Sequence, residues 1–195
     1  AVMNFLAIDV GNTRLKWAHY ASPQPGAVRL CEDVVRDATN VGRPHELIPY
    51  LIDLVSSPYK PIGDLARRSL QEITGEQHEN PDGYRAWSET WSFVAKAGRE
   101  KNRAALPKLL DLFRTTASRA LKMQIIWTFE RLQAREAFGD ILDAMGSDDA
   151  ALRARAYGAI KFLTGGRLVF DPEGPAARRA DQIAAWRQLV AGQGT

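Results

Sequence analysis

An all-α fold of stacked helical hairpins is what this sequence predicts, and three observations predict it. The chain repeats itself: at an offset of 90, residues 46–75 align with 136–165 without a gap. Glu46, Asp53, Ser57, Ala66, Thr74 and Gly75 meet Glu136, Asp143, Ser147, Ala156, Thr164 and Gly165. The apolar positions keep the same register (Leu51/Ile141, Ile52/Leu142, Val55/Met145, Ile62/Leu152, Leu70/Ile160, Ile73/Leu163), and their i, i+4, i+8, i+11 spacing makes one buried stripe along a helix. Glycine then follows the second helix of each copy, at Gly75 and Gly165, where a left-handed residue ends a helix at least cost.

Taken in order, residues 1–26 form a leader and 27–195 the helical repeat domain. Phe5 to Val10 is short, apolar and partly β-branched, which reads as a strand. Gly11-Asn12 is a hairpin turn signal, so Arg14 to Tyr20 returns as the second strand of a β-hairpin, with a helix over Arg14 to Ala21 as the open alternative. A partial helical unit is expected at 27–45, and full units at about 46–98, 105–135 and 136–191. Each full unit opens on a related segment: Ile48-Pro49-Tyr50-Leu51-Ile52-Asp53-Leu54, Leu106-Pro107-Lys108-Leu109-Leu110-Asp111-Leu112, and Phe138-Gly139-Asp140-Ile141-Leu142-Asp143-Ala144. The first and last units are enlarged by an excursion, Asn80-Pro81-Asp82-Gly83 and Asp171-Pro172-Glu173-Gly174, that leads to helices bearing Trp87, Trp91 and Trp186. These tryptophans are expected to buttress the stack, and Trp127, among Ile125, Ile126 and Phe129, to lie in the core. A helical hairpin of this length cannot bury its apolar face alone, so the units are expected to stack into an α-solenoid.

The two-helix unit with a small residue at Ala66 and Ala156 resembles HEAT-like repeats of the short bacterial type. That resemblance implies an interaction module whose second helices present a long binding surface. Its partner is expected to be a protein, with a polyanion such as nucleic acid as the weaker expectation. Arg67, Arg68, Arg153 and Arg155 fall at or near the starts and outer faces of second helices; with Arg114, Arg119 and Lys122 from the middle unit they are the candidate partner-binding residues, and Trp87 and Trp91 are candidate stacking partners. A solvated, salt-bridged helix face is the competing expectation for the same arginines.

The leader carries a different signal. Asp9-Val10-Gly11-Asn12-Thr13-Arg14-Leu15-Lys16, after an apolar strand, resembles the first phosphate motif of type III pantothenate kinases, and the likeness continues from Met3 to Gly26. It implies that Asp9 organises the Mg²⁺ of MgATP, and that Gly11, Asn12, Thr13 and Lys16 contact phosphates. Backbone N–H groups beside a glycine suit an anion, and a lysine acts as a point charge. That family's two further signatures are missing. No Asp-Arg dipeptide occurs, and the only Gly-Thr pair is Gly194-Thr195. Without a substrate clamp and a general base, bound phosphate is positioned and not attacked. The chain is therefore expected to act as a non-catalytic scaffold without a cofactor. The alternative is a kinase-like enzyme using ATP and Mg²⁺ to phosphorylate pantothenate.

Composition excludes several classes. The net charge of +3 is too small to imply nucleic acid by itself. Its distribution is uneven: residues 99–135 carry nine Lys/Arg against three acids, and 136–150 carry five acids and no base. One cysteine, Cys31, excludes an internal disulfide, and His19, His45 and His78 lack metal-ligand spacing. No apolar run approaches the ~20 residues of a membrane span, and no cleavage signal follows the first strand. A monomeric, cytoplasmic protein is the expectation.

Overall fold

The computed structural model describes residues 5–10 and 15–20 as backbone, and 47–57, 60–166 and 168–192 in full. Its helical part is all-α: α1 (Ile48–Val55), α2 (Lys60–Thr74), α3 (Pro81–Arg99), α4 (Leu106–Thr115), α5 (Arg119–Leu132), α6 (Phe138–Ala144), α7 (Ala150–Thr164) and α8 (Ala176–Gly192). The strands β1 (Phe5–Val10) and β2 (Leu15–Tyr20) pair antiparallel, from Phe5 opposite Tyr20 to Val10 opposite Leu15. The partial unit expected at 27–45 and Cys31 lie outside the described residues. The chain divides into two units, Ala1–Glu89 and Thr90–Thr195.

In the first unit α1 packs on α2. Ile48, Leu51, Ile52 and Val55 recur at helical spacing and are buried, and Ile62, Leu65, Ala66 and Leu70 answer them from α2. Burying each large aliphatic side chain contributes about 1.5–3 kcal/mol. The two backbones run close enough that a Cβ on Gly63 would sit 3.1 Å from the Val55 carbonyl oxygen. The helix α2 ends as its sequence dictates. Gly75 takes φ +71°, and the Thr74 hydroxyl donates to the Leu70 carbonyl while accepting from the Glu76 N–H. The helix α3 then starts at an Asx turn, in which the Asn80 side chain accepts from the Asp82 and Gly83 N–H groups. Trp87 on α3 is buried at 5% exposure.

The second unit holds two consecutive hairpins, α4–α5 and α6–α7, and the 32-residue offset of their opening segments is visible in the backbone. Short 3-10 turns at Arg103–Ala105 and Arg135–Ala137 precede α4 and α6. Ser118 and Asp149 cap α5 and α7, each side chain accepting an N–H of the first turn, from Leu121 and Leu152. First helix touches first helix, α4 on α6, and second touches second, α5 on α7. The core is one cluster in which Leu109, Ile125, Ile126, Phe129, Ile141, Met145, Ala156 and Ile160 are fully buried. Ala156 is where the sequence needs a small side chain, since its Cβ is already wholly enclosed. Trp186, fully buried, closes the cluster from α8 and stands edge-on to Tyr157 at 6.2 Å. Trp91 packs half-buried against it.

One packing expectation is corrected. Trp127 lies at the margin of the core, half-buried, with α3 covering part of its ring. Gly98 comes so near that an added Cβ would meet the indole at 2.5 Å, and Arg131 stands over the ring at 5.9 Å. A side chain as large as tryptophan's is seldom fully buried, and here one edge of the ring stays outside the cluster.

Candidate functional surfaces

The candidate arginines resolve into three kinds of position. In the second unit the basic run and the acidic run that follows it meet. Arg103 donates to the Glu136 carboxylate at 2.6 Å, Arg114 grips Asp140 with two bonds of 2.8 Å, and Arg119 reaches Asp149 at 3.5 Å. Arg155 on α7 makes a two-bonded pair with Glu130 on α5, at 2.8 and 2.6 Å, with both side chains largely covered. The charge asymmetry of 99–135 against 136–150 therefore links consecutive hairpins, Arg to acid across the α4–α6 and α5–α7 contacts. A fork-on-carboxylate geometry fixes orientation as well as distance.

Protonation follows the same contacts. The hydrogen bond to Asp140, reinforced by its charge, holds the Arg114 guanidinium above its ordinary value. A hydrogen bond from its own backbone N–H, helped by Arg103, holds the Glu136 carboxyl below the usual carboxylate range. The Leu152 N–H, as the cap bond of α7, does the same for Asp149, with Arg119 adding to it. Each direction is that of an ion kept charged by donors or an opposite charge.

Arg153 departs from the outer-face position expected of it. It is 6% exposed, and its guanidinium donates to the carbonyls of Pro172, Ser147 and Asp148. It closes the α6–α7 turn onto the loop before α8, a structural task that uses its hydrogen-bonding capacity. Lys122 is half-buried with its ammonium 5.8 Å from the Phe113 ring centre. Trp87 is buried, and Trp91 is partly buried against the core. In the first unit Arg67 donates to Asp64 and to the Val55 carbonyl, both at 3.4 Å. Arg68, next to it, is exposed and has no hydrogen bond or ion pair among the described residues.

The acidic partners were the residues that single-residue inspection of the sequence missed. The signal that could have found them is the adjacency of a basic block and an acidic block one repeat apart. In the leader, Asp9 and Lys16 are backbone partners in the β1–β2 register, whereas Gly11, Asn12 and Thr13 lie outside the described residues. Among the described residues no helix is long and apolar enough to cross a membrane.

Against known proteins, the chain shares only short segments. It is 75% identical over 28 residues to the type III pantothenate kinase of Paracidovorax citrulli, covering 14% of this chain and 11% of that one. It is 61% identical over 33 residues to the same enzyme of Polaromonas sp., covering 17% and 13%, and 76% identical over 25 residues to that of Verminephrobacter eiseniae, covering 13% and 10%. The chain thus spans a small fraction of the length of these curated relatives. No family model matches it. No solved structure matches it either.

Proposed function

We propose that the helical part of this protein is a non-catalytic, HEAT-like repeat scaffold that binds a protein partner in the cytoplasm. One observation carries the reading: in the second unit, first helices lie on first helices and second on second, with arginine–carboxylate pairs joining consecutive hairpins. Stacking of that kind extends a surface one unit at a time, and such surfaces serve recognition. A protein is preferred to nucleic acid because Arg103, Arg114, Arg119 and Arg155 already hold carboxylates of the same chain. A polyanion would have to displace those carboxylates, whereas phosphate binding draws on free cations.

The test is cross-linking capture with the purified chain, followed by titration of the captured protein against the chain and its Lys122→Glu variant. Saturable binding of fixed stoichiometry, weakened by the charge reversal, is expected. Capture no greater than by heat-unfolded chain would refute the scaffold.

A second reading is favoured by the short matches to pantothenate kinases. In it the leader is a phosphate site for MgATP built on Asp9, Gly11, Asn12, Thr13 and Lys16, and the chain phosphorylates pantothenate. ATP-dependent phosphorylation of pantothenate, measured beside Asp9→Ala, separates the two. Turnover lost in Asp9→Ala would displace the scaffold reading, and the absence of turnover in both proteins would remove the kinase.

A further inference from the structure

A cleft of about 500 Å³ opens in the first unit between α2 and the loop leading to α3. The internal repeat supplies a comparison for it. At the 90-residue offset, Arg67 and Arg68 stand where the second unit has Tyr157 and Gly158. There Tyr157 bridges helix to loop: its hydroxyl donates to the Leu168 carbonyl at 3.2 Å, and its ring packs on Phe170 at 5.6 Å. In the first unit Arg67 is held by Asp64 and the Val55 carbonyl instead, and the corresponding space stays open. The helical hairpin folds with either lining, so the polar set of the first unit is not required by the repeat.

That set is rich in donors. Arg68, Gln71 and Gln77 line the cleft beside His78 and the Arg67–Asp64 pair, and among the described residues Arg68 makes no ion pair. His78 is held in place: its N–H donates to the Tyr84 hydroxyl at 3.3 Å, and its ring meets that of Tyr84 edge-on at 4.7 Å. Gly83 allows this, because a Cβ there would lie 2.5 Å from the imidazole. The Nε2 of His78 is buried and lies 3.1 Å from the Glu76 carboxylate, so the imidazole serves as a wall of the cleft and not as a donor into it.

We propose that this cleft binds a phosphate-bearing small molecule, with Arg68 as its charged anchor and Gln71 and Gln77 as further donors. A guanidinium fork suits both carboxylate and phosphate, but three separate donor side chains converging from two elements match a tetrahedral group better than a planar one. The volume lies within the roughly 300–1,000 Å³ usual for small-molecule sites, so room remains beyond the phosphate for an organic body. The proposal is independent of the scaffold reading, since it rests on one unit and on no protein partner.

The test is titration of the full chain with inorganic phosphate and with phenyl phosphate, followed by calorimetry and ³¹P line broadening, with acetate as the carboxylate control. Variants are Arg68→Gln, Arg67→Tyr to rebuild the tyrosine bridge, Arg99→Gln as a remote surface change, and Lys16→Gln in the leader. Saturable phosphate binding is expected, tighter for phenyl phosphate. It should weaken by about tenfold in Arg68→Gln, as for loss of a charge-assisted contact, and in Arg67→Tyr, with Arg99→Gln and Lys16→Gln unaffected. No saturation, equal weakening in Arg68→Gln and Arg99→Gln, acetate binding as tightly as phosphate, or loss in Lys16→Gln alone would each overturn the proposal.

Discussion

Substituting two helical glycines by alanine should move stability in opposite directions. Both Gly98 on α3 and Gly158 on α7 are helical, so alanine in either gains about 1 kcal/mol of helix propensity. Their surroundings differ. A Cβ on Gly158 meets nothing within 4 Å, whereas on Gly98 it would lie 2.5 Å from one indole carbon of Trp127 and 3.0 Å from the Thr128 hydroxyl. Thr128 cannot yield freely, because its hydroxyl donates to the Val94 carbonyl in the buried contact between the two helices. Forcing a methyl into such a contact costs about 1–3 kcal/mol. Gly98→Ala should therefore be net destabilising by about 1 kcal/mol, lowering the melting temperature by about 2–4 °C for a chain of this size, while Gly158→Ala raises it by a similar amount. Thermal melts followed by circular dichroism at the helix band would measure both. A Gly98→Ala protein that melts with or above the parent would refute the close packing of α3 on α5.

Two further outcomes follow from the links between hairpins. In a double-mutant cycle with Glu130→Gln and Arg155→Met, denaturant unfolding should report a coupling of about 1–3 kcal/mol, and additive effects would mean the pair does not join α5 to α7. Asp149→Ala removes a helix cap and should cost about 1 kcal/mol near pH 7. Because donors hold the folded Asp149 carboxyl below its ordinary value, its contribution is complete above the usual aspartate range and is lost as pH falls through the folded value. The gap between parent and Asp149→Ala should thus shrink as pH falls below the ordinary aspartate range, and a constant gap in unfolding free energy across that acid range would contradict the cap.

How much of this was legible differs from residue to residue. Gly75 and Gly165 were marked as helix stops by sequence, and both take positive φ because a left-handed residue without Cβ ends a helix most cheaply. Gln133 ends α5 at φ +52° with no such mark, and only its place between two packed hairpins accounts for it. Among the arginines, a residue type that binds partners and one that ties a turn together look identical in sequence. Arg153 and Arg68 were candidates on the same footing, yet one is spent on three backbone carbonyls and the other, without a bond to any described residue, lines a cleft.

By itself, then, the sequence determined the helical character of residues 46–191, the register of the repeat, the helix ends at glycine, and the kinase-like segment of the leader. These are local or periodic properties, written in the spacing of apolar side chains and in backbone preferences. Only the tertiary structure decided which charges are engaged, how near Gly98 lies to Trp127, and that one copy of the hairpin is bridged by Tyr157 while the other leaves a polar cleft. Those outcomes depend on ångström distances between different elements, and spacing along one helix does not encode the separation between two.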